Sequence, residues 1–207
     1  RAFTSSGGEL LAPARWRDGD FGEGVVRATG RRMEPVVDGW RWFGLKAHAR
    51  GVTLTADLEM HFGTDRYVGL CRLDGGLVNV CGLFRRATPV PDLPQRRAEW
   101  LRGEPGTPLH HRLANAGFDE TSFTAVAGLS LRARRALEAD ECCIGDALTM
   151  IPPVTGNGMS IAFESAEIAA GPLAKFSAGR CDWSEAQQLI ARRCDTLFAR
   201  RLRWAAW

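Results

Sequence analysis

The stretch ECCIGDALTMIPPVTGNGMSIAFESAEIAAGPL, residues 141–173, constrains this chain more than any other. A short apolar run ends in Gly145-Asp146, prolines follow at 152 and 153, and Gly156 and Gly158 flank Asn157 before a long Ala-rich segment. The run CCIGD reads as a short buried strand ending at Asp146, and ligands bind beyond strand ends in α/β folds. A carboxylate there is suited to accept hydrogen bonds from sugar or polyol hydroxyls. Pro152 and Pro153 stiffen the connection and remove two N–H donors. Gly156 and Gly158 let a ligand approach the backbone at the start of a helix. The first helical turn offers unpaired N–H groups and the positive end of the dipole, which favours an anionic or electron-rich ligand. Ala162, Ala166, Ala169 and Ala170 keep one side of that helix thin, so that it can lie close to a sheet. The plainer alternative is a strand, a Pro-containing loop and a helix that serve only the fold.

The rest of the chain surrounds this segment with β structure and ends in a helix. Residues 1–22 are Gly-rich and read as loop with one short strand, and EGVVRATGRR (23–32) reads as a strand running into a turn. From 40 to 84 the pattern is β, with three or four antiparallel strands. In DLEMHF, Leu58, Met60 and Phe62 alternate with Asp57, Glu59 and His61, the period of a half-buried strand. Asp74-Gly75-Gly76 between two apolar runs signals a hairpin. DLPQRRAEWLRG and TPLHHRLANAG read as two short helices with Gly stops at 103 and 117, and SFTAVAGLSL returns to strand. From about Asp182 a helix runs to the end, with Leu189, Ile190, Cys194, Leu197, Phe198 and Leu202 at three- and four-residue spacing.

Composition excludes several classes. The 207 residues are 45% hydrophobic and 25% charged, enough for a sizeable core, and carry no membrane-spanning run of apolar residues and no signal peptide. A net charge of +3 gives no support for nucleic-acid binding. The six cysteines form no CxxC pair and read as small apolar side chains in a reducing compartment, so the expected location is the cytoplasm. His110 and His111 are adjacent on a short helix and point in different directions, which suits no metal ion.

The segment GDALTMIPPVTGNGMSIAFESAEIAAGPL resembles the second FAD-binding motif of the flavoprotein superfamily that includes aromatic hydroxylases and geranylgeranyl reductases. That resemblance implies a fold of α/β (α+β) class: a partial FAD-binding, Rossmann-like domain, an antiparallel β-sheet substrate domain and a C-terminal helical segment. It divides the chain into residues 1–34 (end of the FAD domain and connecting strands), 35–130 (substrate sheet), 131–178 (second part of the FAD domain) and 179–207 (C-terminal helix). It makes Gly145, Asp146, Pro153, Gly156, Asn157, Gly158 and Met159 the cofactor-binding residues. Asp146 would bond ribityl or ribose hydroxyls, and the backbone from Gly156 to Met159 would lie at the pyrimidine end of the flavin. The helix start would then stabilise negative charge on reduced flavin. VVRATGRR is similar to the strand that returns the chain to the FAD domain. Thr29 stands where many members have an Asp that helps with NADPH, so NAD(P)H or another electron donor remains open. In the substrate sheet only Tyr67 matches the Tyr-x-Trp-x-Phe-Pro of the geranylgeranyl reductases, so an isoprenoid substrate is not implied.

Catalysis in such a protein is carried by the flavin. Lys46 and His48 share one face of a strand with Trp42 and Gly44, and are candidates to move protons there. The plainer alternative is that they face solvent. Tyr67, the single tyrosine, is a candidate for the substrate pocket. The function expected is FAD-dependent reduction or dehydrogenation of a small, apolar organic substrate. The alternatives are an FAD-dependent hydroxylase and a non-catalytic ligand-binding fragment without FAD. The last helix carries Arg192, Arg193, Arg200, Arg201 and Arg203 with Trp204 and Trp207, a pattern that suits either peripheral membrane contact or a cap on the substrate domain. The chain opens Arg1-Ala2-Phe3 and contains no Gly-x-Gly-x-x-Gly turn. The expectation is therefore the later half of a flavoprotein, inactive alone and poorly soluble through exposed sheet edges.

Overall fold

The computed structural model describes residues 2–14, 21–32, 39–90 and 93–205. Two layers follow from the sequence: an antiparallel sheet backed by two short helices, and a pair of long helices packed on the Gly-Asp turn.

The sheet comprises β2 (Trp40–Arg50), β3 (Leu58–Gly63), β4 (Arg66–Arg72), β5 (Val78–Ala87), β6 (Gly117–Phe118) and β7 (Thr124–Leu129). Its order is β3-β4-β5-β2-β6, with β7 also pairing with β2. It is thus larger than the three or four strands the alternation suggests, because the short β6 and β7 arrive from beyond the helices. The hairpin between β4 and β5 turns at Asp74–Gly76, with Gly75 and Gly76 at positive φ. Period-two alternation puts Phe43, Leu45, Ala47 and Ala49 of β2 on one face with Val68, Leu70, Val80 and Phe84. Helices α2 (Leu93–Arg102) and α3 (Pro108–Leu113) cover that face through Leu101, Leu109 and Leu113. Thr107 caps α3, its hydroxyl accepting from the His110 N–H at 3.2 Å. Gly103 ends α2 as expected, whereas Gly117 stops no helix and opens β6, since α3 has already ended at Ala114.

Strand β3 reverses the expected burial. Leu58 and Phe62 are 59% and 71% exposed, while the side chains of Glu59 and His61 are only 10% and 18% exposed. The cause is a local polar network on the helix side. Glu59 accepts from the Thr55 N–H at 2.6 Å and the Thr55 hydroxyl at 2.9 Å, pairs with Arg112 at 3.0 Å, and meets His61 at 3.3 Å. A carboxylate so satisfied tolerates the shaded side of the sheet. The apolar row Leu58, Met60 and Phe62 is left on the open face.

The second layer begins with α1 (Ala2–Ser5), a single helical turn where loop and strand were expected, and the short β1 (Val26–Arg27). β1 pairs in parallel with β8 (Cys142–Cys143), and Glu141 bridges Arg27 and Arg32, each at 2.8 Å. β8 is shorter than CCIGD, because Gly145–Ala147 leaves the strand as a tight turn. α4 (Gly158–Ser177) and α5 (Trp183–Ala205) then pack together. Asp182 and Glu185 form a reciprocal cap at the start of α5: the Glu185 N–H donates to Asp182 at 2.8 Å and the Asp182 N–H to Glu185 at 3.2 Å. Ala186, Ile190, Ala191, Cys194 and Phe198 are the buried stripe of α5, and Leu197 stays partly exposed. Ala169 of α4 is buried, but Ala166 and Ala170 face outward, so the thin side of α4 lies on the Gly-Asp turn and α5 rather than on a sheet. Among the described residues no helix is long and apolar enough to cross a membrane. The cysteines there form no disulfide, with Cys142, Cys143 and Cys194 buried.

Candidate active site

Three segments converge on an open cavity of about 520 Å³, lined by Ala28 and Gly30 after β1, by Ile144 to Asp146 with Met150, Ile151 and Pro153, and by Gly156, Gly158, Met159 and Ala162. Local chemistry fixes each wall. Gly145 has φ +61°, a conformation that side chains resist, and a Cβ there would sit 3.4 Å from that of Ala162. Its N–H donates to the fully buried Ser165 hydroxyl at 2.9 Å, which in turn donates to the Ala162 carbonyl at 2.9 Å. The N–H groups of Leu148 and Thr149 both donate to the Gly145 carbonyl, at 3.0 and 3.2 Å, closing the turn. α4 therefore holds the Gly-Asp turn through one serine and one Ala–Gly contact.

Asp146 stands on this wall, its side chain outside the packed core. Desolvation by its surroundings raises its pKa above the ordinary aspartate value. Among the described residues nothing donates to its carboxylate.

The other wall is the loop into α4. The N–H of Gly156 donates to the Pro153 carbonyl at 3.0 Å, and Gly156 has φ +65°. Asn157 turns its amide back to the Thr155 carbonyl at 2.8 Å and makes no side-chain cap on α4. The first-turn N–H groups of α4 thus start beside the cavity without a side-chain cap.

Tyr67 joins this wall to the sheet. Its ring lies on the open face, in register with Leu83 and Phe62. Its phenolic oxygen is buried beside the Val154 backbone, outside hydrogen-bond geometry and without a partner among the described residues. Burial pushes the phenol up to about 12. On the same face, Gly44 has no Cβ because Val126 fills its place at 2.7 Å, and Met60 sulfur lies 3.1 Å from where a Cβ of Gly69 would be. On this face Phe62 is exposed, Met60 and Tyr67 are partly buried and Leu83 is buried.

Of the sequence-predicted cofactor residues, Gly145, Asp146, Pro153, Gly156, Gly158 and Met159 line the cavity. Asn157 does not, because its side chain is held by Thr155. Lys46 and His48 do share the open face, opposite Cys81 and Asn79, but neither lines the cavity. His61, on the next strand, points to the other face and is held by Glu59. Gly30, Ala162 and Ser165 were absent from the predicted set. Gly30 was legible as the glycine of Thr-Gly-Arg-Arg, and Ala162 as the position one helical turn after Gly158. Nothing in the sequence marks Ser165.

The family model of squalene epoxidase matches residues 91–205. Comparison with curated proteins gives no match. Among solved structures, the myxobacterial chondrochloren halogenase CndH, described as a variant of FAD-dependent halogenases, is similar with a TM-score of 0.61 and 17% identity over 86% of this chain and 45% of that one. A triple mutant of the flavin-dependent brominase Bmp2 has a TM-score of 0.59 and 16% identity over 82% of this chain and 47% of that one. The probable FAD-dependent monooxygenase pqsL of Pseudomonas aeruginosa has a TM-score of 0.50 and 16% identity over 84% and 48%. The chain spans about half the length of the structures it matches. These likenesses show the fold: a mixed α/β architecture with an antiparallel sheet and C-terminal helices.

Proposed function

The chain belongs to the squalene epoxidase family, and from that premise we propose that it forms the cofactor-and-substrate half of an FAD-dependent oxidoreductase acting on a small apolar molecule. The observation that carries this reading is the carboxylate of Asp146, without a donor among the described residues, on the wall of a cavity lined also by Gly30, Gly156 and Gly158 and by apolar side chains. The residues present fit FAD. A polyol chain offers hydroxyl donors to Asp146, and a flat ring system fits against backbone that carries no Cβ at Gly156 and Gly158. Gly30, Gly145, Asp146, Pro153, Gly156, Gly158 and Met159 would hold it.

When bound, FAD supplies hydride or oxygen transfer. The chain's own residues do the rest. The uncapped first turn of α4 favours negative charge beside the cavity. Ile144, Ile151 and Met159 give it apolar walls that shed water. The sheet face that carries Met60 and Phe62 orients an apolar substrate next to the Pro153–Thr155 loop. Tyr67 stays neutral there and offers its O–H as a donor at the junction of sheet and loop. Lys46 and His48 lie farther along the face, suited to the outer rim of a substrate rather than to the reacting atoms.

Within the class, family membership favours oxygen insertion over the reduction or dehydrogenation expected from the sequence. The domain division 1–34, 35–130, 131–178 and 179–207 belongs to the same proposal, supported by one buried cluster in the sheet layer and another in the α4–α5 layer. The electron donor, NAD(P)H or another reductant, is part of the test. The protein from its complete reading frame is reduced with NADPH under argon and then exposed to O₂. Oxygen transfer predicts oxygen consumption linked to an apolar substrate and incorporation of labelled oxygen into it. Substrate reduction under argon, with no label taken up in air, would favour the reductase reading instead.

A further inference from the structure

A second cavity, of about 930 Å³, lies on the helix side of the sheet, between the end of β5 and α2. It shares no lining residue with the cavity at Asp146. Two tryptophans line it. Trp40, at the start of β2, is 40% exposed. Trp100 of α2 packs against Phe84 at 5.3 Å and Phe43 at 6.1 Å and takes the Arg86 guanidinium over its ring at 5.1 Å.

The cations of this cavity are not equivalent. Arg66 pairs with Glu104 at 3.0 Å, and Arg96 with Glu99 at 2.8 Å. Arg102 donates to the carbonyls of Leu113 and Ala116, at 3.3 and 2.8 Å. Arg86 alone among them makes no ion pair and no hydrogen bond to a helix carbonyl among the described residues, and Asp65 and Glu104 act on it only at longer range. Its Nη1 donates to the Arg85 carbonyl at 2.9 Å, and the residue lines the cavity. The guanidinium is half-buried; desolvation, followed by the nearby charge of Arg66, lowers its pKa against the opposing charges of Asp65 and Glu104. A desolvated cation facing a second cation is stabilised by an anion between or beside them.

We propose that this cavity binds a small aromatic carboxylate, with Arg86 holding the carboxylate and Trp40 and Trp100 flanking the apolar body. A planar guanidinium fork matches a carboxylate in two parallel hydrogen bonds. Glu104, Glu99 and Asp65, which line the same cavity, disfavour a multiply charged anion such as a phosphate ester. Pro89 and Val90 extend the apolar wall.

The test is calorimetric titration of the protein with naphthylacetate, with naphthylacetamide as the neutral isostere. The acid binds, and the amide binds at least about tenfold more weakly, the loss expected for one charge-assisted pair. Arg86→Gln weakens the acid by a similar factor and leaves the amide unchanged, while Arg86→Lys falls between. Saturating FAD leaves the affinity for the acid unchanged. Equal binding of acid and amide, no binding of either, an Arg86→Gln affinity equal to wild type, or displacement of the acid by FAD would each overturn the proposal. Should Arg86→Gln fail to fold by circular dichroism, Trp40→Ala serves instead. It is expected to weaken the acid several-fold, and an unchanged affinity there overturns the proposal equally.

Discussion

At the scale of single residues, Gly145 shapes the cavity at Asp146 and Tyr67 sets its junction with the sheet. Gly145 combines positive φ with a close approach to Ala162. Gly145→Ala is expected to cost about 1–3 kcal/mol of stability, from left-handed backbone strain and a shift of α4. A urea midpoint equal to wild type would contradict that. Tyr67 makes a sharper prediction, because it is the only tyrosine in the chain. Its ultraviolet ionisation step should fall near 12 rather than at the ordinary phenol value. The raised pKa means that the folded state keeps a proton the unfolded chain releases. Stability tied to Tyr67 is therefore full below the unfolded pKa and falls as pH rises toward about 12. A step near 10 would show an exposed ring. Asp146 carries the opposite consequence for binding. Its acceptor role needs the carboxylate, and its pKa is raised by burial. FAD affinity should therefore weaken on acidification at a higher pH than for an ordinary aspartate.

At the scale of elements, polar anchors rather than apolar pattern set the less legible parts of the fold. The hairpin at Asp74–Gly76 and the helix break at Gly103 were readable, since each depends on a local φ preference. So were Gly145 and Gly156, which both sit at positive φ. The face of β3 was not. Alternation showed that Leu58, Met60 and Phe62 share a side, but not which side the helices cover; Arg112 and Thr55, distant or unpatterned in sequence, decide that by satisfying Glu59. The side chain of Asn157 is likewise held locally, its amide donating to the Thr155 carbonyl. A comparable anchor ties α5 to the turn at Ala136–Glu138. Asp195, with a side chain 15% exposed, accepts from the N–H groups of Ala136 at 2.6 Å and Leu137 at 3.2 Å. Asp195→Ala leaves both donors without that acceptor and should cost about 1–3 kcal/mol. A thermal midpoint within error of wild type would remove this anchor from the account.

At the scale of the whole molecule, the chain builds two separate buried clusters, one under the sheet and one between α4, α5 and the Gly-Asp turn. Tyr67 beside Val154 is a point where sheet and loop meet. Such a molecule gains from a ligand that bridges its layers, and large apolar side chains stand ready to be covered: Met159 and Phe163 on α4 are 76% and 75% exposed. The most direct measurement is FAD titration, by flavin fluorescence, of wild type and Asp146→Ala made from the complete reading frame. The account predicts saturable binding by wild type, at about one FAD per chain, and a loss of at least about tenfold in affinity in the variant, the worth of hydrogen bonds to a charged acceptor. No binding to wild type, or equal affinity in the two proteins, would contradict the assignment of this cavity to FAD.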